Sequence, residues 1–510
     1  MAEVSRTARV IQNAKVALFF YCINLILQFF SRKIFLDYLG AELLGLNTTA
    51  QNLLQFLNLA ESGIGAAVAF ALYKPLSQNN RQEIIDIVSL QGWFYRWVGL
   101  FVIAGSIVLM AFFPWIFAKA EVPLIYAYGT FIAFLISALL GYFINYKMIV
   151  LSADQKEYKI TIETQSIKVI KVLIQMLAIW KLPHGYVWWM VLEALAGILT
   201  ALRLNCCICR EYPWLVSDLS RGKELRIQYS FVLTKTKQLF FHKIGGFVLG
   251  QTTPLIVYAF TTLSMVAIYG NYVLILGGCL LLVDALSRGL NAGVGNLVVN
   301  GNLKTIKNVF WQLLTIRLFF AGFICSGFFF LSESFIKLWV GDEYVMSLFP
   351  MSVLLAVYFI QMSRTCDIFL SAYGLFQDIW APVFESASSI VLSVLFGYFW
   401  GISGIFLGIL LSQLVIVNSW KPYFLYKCAF HENISEYIVL YTKKLSMVLL
   451  LCCSSSIIDI QIRSWIGWLQ QALLLTLLYF SAGTALFYFT DKHFQFVARK
   501  IFNKMRSGFI

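Results

Sequence analysis

The chain is short of charge. Asp, Glu, Lys and Arg make up 13% of its 510 residues, while 60% are hydrophobic. Soluble domains run about 25% charged and 45–50% apolar, so an ordinary soluble fold is excluded. A mean hydropathy of +0.77 says the same. Acidic residues are the scarcer sign, 25 against 39 basic, leaving a net charge of +14. Most Lys and Arg fall in alternate short loops, however. That is the positive-inside pattern of a polytopic membrane protein, and no nucleic-acid partner is expected. No loop reaches about 50 residues, the low end of a domain. No P-loop or dinucleotide fingerprint occurs, so this chain is not expected to pump with ATP on its own. Cys206, Cys207 and Cys209 cluster, but a structural zinc site needs about four ligands in a defined spacing. Neither a metal nor a cofactor is expected. The basic N-terminus (Arg6, Arg9, Lys15) leads into an apolar run too long for a signal-peptide core, so the first span is expected to be retained.

What is present is a series of apolar stretches. At roughly 20 residues per span they give about 14 transmembrane helices, an all-α polytopic fold. The spans are placed at 14–37, 43–73, 87–113, 122–150, 161–181, 186–208, 235–260, 264–298, 309–331, 348–373, 382–400, 403–426, 443–462 and 466–489. The basic loops put both termini in the cytoplasm. The stretch from Glu42 to Pro75 stands out. It is apolar enough to span, yet carries Asn47, Gln51, Gln55, Asn58, Ser62 and Gly65 at steps of three and four, with Glu61 beside them. Such a stripe belongs against water, a partner helix or a passenger. A weaker version returns at 265–304.

An internal repeat accompanies the two polar spans. Leu151–Ser166 and Leu370–Ser388 both begin Leu-Ser-Ala, cross a polar loop and enter the next span with Glu-x-x-Ser. Together they predict two pseudo-symmetric six-helix bundles, 1–208 and 233–428, as in transporters built from repeats. A cytoplasmic linker, 209–232, would join them. Residues 429–510 would add two helices and a basic tail.

Ionisable residues inside spans are the functional pointers, since a charge at a helix centre costs about 2.5–3.5 kcal/mol on insertion scales. Lys168 and Lys171 share a face with Thr161, Thr164 and Gln175, and no acid lies one turn away, so that face should line water. Arg32 continues a face with Asn24 and Gln28, and Arg317 lies inside the ninth span. Asp284 with Arg288 and Arg364 with Asp367 are local pairs that can neutralise themselves along one helix. Glu61, Glu193 and Glu385 are isolated acids. Glu61 could carry a coupling proton or cation, and Glu385 suits a helix N-terminus. The basic surplus fits an anionic passenger.

Several motifs carry a family resemblance. RKIFLDYLGAELLGL (Arg32 to Leu46), LAESGIGAA (Leu59 to Ala67), LYKPL (Leu72 to Leu76) and ADQKEY (Ala153 to Tyr158) resemble Wzx-type polysaccharide flippases. So do YGLFQDIWAP (Tyr373 to Pro382), ISGIFLG (Ile402 to Gly408) and WKPY (Trp420 to Tyr423). These flippases belong to the multidrug/oligosaccharidyl-lipid/polysaccharide exporter superfamily. The resemblance implies two six-helix bundles around a central cavity, with two extra helices. It also implies passage of a polyprenyl-diphosphate-linked oligosaccharide (an O-antigen, capsule or exopolysaccharide repeat unit) to the outer leaflet, which places the chain in the cytoplasmic (inner) membrane.

On that reading Arg32, Lys168, Lys171 and Arg317 would attract the diphosphate, with Arg288 and Arg364 secondary. Glu61, Asp284 and Asp367 would serve coupling or gating, driven by a proton or sodium gradient. Membrane lipids, a glycan polymerase and chain-length proteins would be the partners, and the chain would not be an enzyme. Two alternatives stay open. A drug/cation antiporter of the same superfamily predicts an acid-dominated cavity. A membrane glycan polymerase or ligase needs a substantial outer loop, and the largest here, near Ser332–Ser347, is short.

Overall fold

A computed structural model describes residues 6–507 except 62, 376, 379, 456–461 and 463. Within helices it leaves out the side chains of 6–8, 10, 60, 238–239, 241–249, 285–293, 296, 299–300 and 501–507. Among the described residues there is no strand, and ten helical stretches are long and apolar enough to cross a membrane. Two of the ten, Ile11–Asn58 and Trp380–Phe430, contain a glycine at positive φ that divides them, Gly40 and Gly401. Both glycines fall between spans that the hydropathy pattern separates.

The chain forms two compact units, Met1–Ala267 and Ile268–Ile510. Their border therefore falls at the start of the eighth expected span, not in the 209–232 loop. Unit 1 holds α1 (Arg6–Asn58), α2 (Ile64–Ser77), α3 (Arg81–Ala111), α4 (Leu124–Phe143), α5 (Glu157–Lys181), α6 (Gly185–Glu211) and α7 (Ser230–Phe260). Here α5 and α6 form a hairpin, and α1 packs on α5, α4 and α7. The expected continuous span 43–73 is broken. α1 stops at Asn58, Leu59–Glu61 make a 3-10 turn, and Gly63 at φ 100° starts α2. A left-handed residue ends helical hydrogen bonding, and glycine takes that conformation without a Cβ clash. The break lands Glu61 on the turn.

Unit 2 takes the remainder of α8 (Leu263–Asn300), then α9 (Leu303–Trp339), α10 (Leu348–Ser363), α11 (Cys366–Ala372), α12 (Trp380–Gln413), α13 (Ser435–Ser454), α14 (Trp465–Thr490) and α15 (Lys492–Ser507). Its core is aromatic. Phe310, Trp311 and Phe319 on α9 meet Tyr437 on α13 and Tyr479 and Phe487 on α14. The helices after residue 429 are thus part of this core. Lys444, Asp491 and His493 add a buried polar cluster there, with His493 Nδ1 3.2 Å from Asp491.

The two arms of α12 fold onto each other at Gly401, where φ is 55°. Ser393 Oγ donates to the carbonyl of Ile405 at 2.9 Å across the hairpin. A Cβ on Gly404 would stand 2.0 Å from the carbonyl oxygen of Phe396, and one on Gly408 2.4 Å from the amide of Ser393. Lipid gives helices no hydrophobic drive to associate, so close backbone approach at small residues must supply the contact. The Gly404–Gly408 spacing is the small-xxx-small pattern that permits it. Gly408→Ala should therefore cost about 1–3 kcal/mol, the usual penalty of overpacking. It is read as a lower melting temperature of the purified protein, and Gly327→Ala, whose Cβ would meet nothing within 4 Å, is the control.

Candidate functional site

A polar seam in unit 1 lies where α1, α5 and α6 meet. Asn24 Nδ2 donates to Gln165 Oε1 at 3.1 Å, joining α1 to α5. Six residues further along α5, Lys171 Nζ sits 2.7 and 2.8 Å from the two carboxylate oxygens of Glu193 on α6. Gln175 donates to the same carboxylate and to the carbonyl of Trp189, both at 3.1 Å. Phe35 of α1 packs edge-on against Trp189 and Tyr186. Tyr186 donates to Asn47 at 2.7 Å, drawing the α1 stripe into the same network. Arg32 donates to the carbonyl of Ala267 at 3.0 Å.

Lys168 differs from its neighbour. It is exposed and makes no ion pair among the described residues. It sits near the middle of α5, about 16 Å from the helix start at 1.5 Å per residue. A lysine stem cannot carry its head that far to an interface, so the ammonium needs water or an anion where it stands. The expectation that Lys171 is equally unpaired is corrected. Low dielectric makes a lone ammonium costly, and Glu193 supplies the counter-charge from the next helix. The sequence held a signal for this. Lys171 and Glu193 each lie 11 positions from Leu182, and Gln175 and Trp189 each lie 7 from it. In an antiparallel hairpin turning at Leu182 such positions face one another.

Glu61, also expected to be isolated, has a partner. Tyr95 donates to its carboxylate at 2.6 Å from α3, and Tyr142 of α4 donates to Asn58 at 3.0 Å. The helix break at 59–63 thus holds a carboxylate with phenols beside it.

In unit 2 the expected cations are met by acids. Arg364 bonds Asp367 at 2.9 Å and grips Glu385 with both terminal nitrogens at 3.1 Å. Glu385 is 3% exposed, so it serves as a buried counter-ion here, which corrects its reading as a helix-start acid. Lys421, the lysine of the WKPY motif, lies 3.0 Å from Asp378 and 3.6 Å from Asp367. Arg317 donates to the carbonyl of Met362 at 2.8 Å and sits 3.5 Å from Asp284. The side chain of Arg288 lies outside the described residues. Lys168 and Lys171 are thus brought together with Glu193, and Arg364, Asp367 and Glu385 with Lys421.

Removing one partner of the half-buried Lys171–Glu193 pair strands the other charge, at a cost below the about 3–5 kcal/mol of a fully buried pair. Lys171→Met should therefore destabilise unit 1, and adding Glu193→Gln should recover most of the loss. Melting temperatures of the two single variants and the double variant measure the coupling.

No family model matches the sequence, and no curated protein matches it. Solved structures do. The lipid II flippase MurJ, in an inward-closed conformation, aligns with a TM-score of 0.67 at 15% identity, over 94% of this chain and 99% of that one. A multidrug resistance MATE family transporter of the MOP superfamily, inward-facing, aligns with a TM-score of 0.60 at 12% identity, over 81% and 97%. Helical among the described residues, the chain is a multi-pass membrane protein with the fold of these transporters.

Proposed function

We propose that the chain is a flippase for a polyprenyl-diphosphate-linked oligosaccharide, carrying the headgroup from the inner to the outer leaflet by alternating access. Lys168 is the observation that carries this reading. An ammonium halfway along a membrane helix, with no acid paired to it among the described residues, is suited to an anionic group that arrives and leaves. Arg32 on the neighbouring α1, bonded to the carbonyl of Ala267, is the second cation assigned to the passenger. Lys171, neutralised by Glu193, ties α5 to α6 beside Lys168. Arg317 and Arg364, with their acids, are then struts more than ligands.

Glu61 is assigned to coupling or gating. Its position on a helix break, where Tyr95 of α3 donates to it, supports that assignment. A proton or sodium gradient would drive the cycle, and Asp284 and Asp367 would act within unit 2. No bond is made or broken on this reading. The membrane would be the cytoplasmic one, with both termini inside, and a glycan polymerase and chain-length proteins would take over the product.

The likeness to a multidrug transporter keeps a drug/cation antiporter as the second reading. The interior acids of unit 2 favour it, though each is matched by a cation.

The test is flipping of a labelled lipid-linked oligosaccharide in proteoliposomes. Lys168→Gln should slow it about tenfold or more, equivalent to about 1.4 kcal/mol of barrier, with melting temperature unchanged. Unaltered flipping in Lys168→Gln would remove its assigned role, and efflux of cationic drugs without lipid flipping would favour the antiporter. Glu61→Gln should abolish the response to an imposed proton or sodium gradient while leaving headgroup binding intact, measured by equilibrium dialysis.

A further inference from the structure

A second basic site occupies one end of unit 1, where α1, α3 and α5 begin and α2 and α6 end. Four separate segments meet there around a cavity of ≈ 1130 Å³, lined by Arg9, Lys74, Arg81, Lys156, Tyr212 and Trp214, with Asp154 and Glu211 beneath. Volumes of about 300–1,000 Å³ hold small-molecule ligands, so a headgroup fits with room for water.

The charges are arranged unevenly. Both acids are already used. Asp154 takes Arg9 at 3.0 Å, Lys156 at 2.6 Å and the Tyr212 hydroxyl at 2.7 Å. Glu211 takes Lys156 at 2.7 Å and also Lys159. Burial works against the Lys156 ammonium, but its hydrogen bonds to the two carboxylates outweigh that and hold its pKa above the ordinary lysine value. Two cations remain on the rim. Lys74 is exposed and makes no ion pair among the described residues. Arg81 lies over the ring of Trp214 at 5.4 Å, with no acid paired to it among the described residues, so its guanidinium keeps its hydrogen-bonding edge for a ligand. Positive-inside composition accounts for basic loops in general. It does not account for four segments converging on one cavity whose acids are fully engaged while two cations are left over.

We propose that this cavity binds a phosphate-bearing headgroup, with Lys74 and Arg81 taking the phosphate oxygens and Trp214 stacking on the attached ring or chain. The site deepens the flippase reading if the ligand is the diphosphate-linked passenger waiting to enter. It stands without that reading if the ligand is an anionic phospholipid. The two sources share the phosphate chemistry and are separated by the test.

In one arm, binding of labelled inorganic pyrophosphate to the detergent-purified full chain is measured by equilibrium dialysis. In the other, phosphatidylglycerol retained from mixed phosphatidylglycerol/phosphatidylcholine vesicles is counted by native mass spectrometry. Lys74→Ala with Arg81→Ala should weaken at least one of these about tenfold, with Lys337→Ala in unit 2 as control. Loss in the pyrophosphate arm identifies a diphosphate site, and loss confined to the lipid arm identifies a phospholipid site. Wild-type values in both arms, with the variant eluting as a single species, overturn the proposal. Lys168→Gln is measured alongside: pyrophosphate lost in that variant alone belongs to the transport site on α5, and pyrophosphate lost in Lys74→Ala with Arg81→Ala belongs to this cavity, so failure of the transport reading is distinguishable from failure of this one.

Discussion

The cost of an unbalanced charge in a medium without water governs this molecule. Lys171 finds Glu193, Arg364 finds Glu385 and Asp367, Lys421 finds Asp378, and Lys444 finds Asp491. Lys171 with Glu193 joins two helices, and Arg364, Asp378 and Asp491 act from the connections between helices, so these pairs tie the packing of elements to the neutralisation of a charge. Replacing such a pair by apolar residues is often neutral in stability, while removing half of it is not. The pairs therefore fix which helices are neighbours more than they deepen the energy well.

Against this background the cations without an acid acquire meaning. A composition with 39 basic and 25 acidic residues must leave some over. Most of the excess sits in loops, where water takes care of it. Lys168 sits halfway along α5, and Lys74 and Arg81 sit on the rim of a cavity. On the reading proposed above, the first would serve transport and the other two reception. A passenger with two phosphates and a sugar chain meets both descriptions, since its charge is concentrated and its remaining surface is polar.

Much of the fold was legible in the sequence. Apolar length gave the helical class, and the separation of 382–400 from 403–426 falls at Gly401, where α12 turns. The same pattern mistook 43–73 for one span, because hydropathy averages over a turn of Leu59–Glu61 that contributes only three residues. Charge was read less well, for one reason. Searching for partners one turn away finds Arg364 with Asp367 and misses Lys171 with Glu193, whose neighbourhood is made by a hairpin. The latter was recoverable from symmetry about Leu182. Glu385 with Arg364, across an intervening helix, had no comparable local sign.

The dependence of α9 on helices made after it has a bearing on how the protein is assembled. Trp311 and Thr315 are buried against α13, α14 and the start of α15, and Lys444 reaches its carboxylate only when Asp491 has arrived. During synthesis α9 enters the bilayer well over a hundred residues ahead of those partners. For that interval its inner face must rest on lipid or on the insertion machinery, and the ammonium of Lys444 must wait near a headgroup. Completion of this half is thus a late event, closed by the final helices in the manner of a latch.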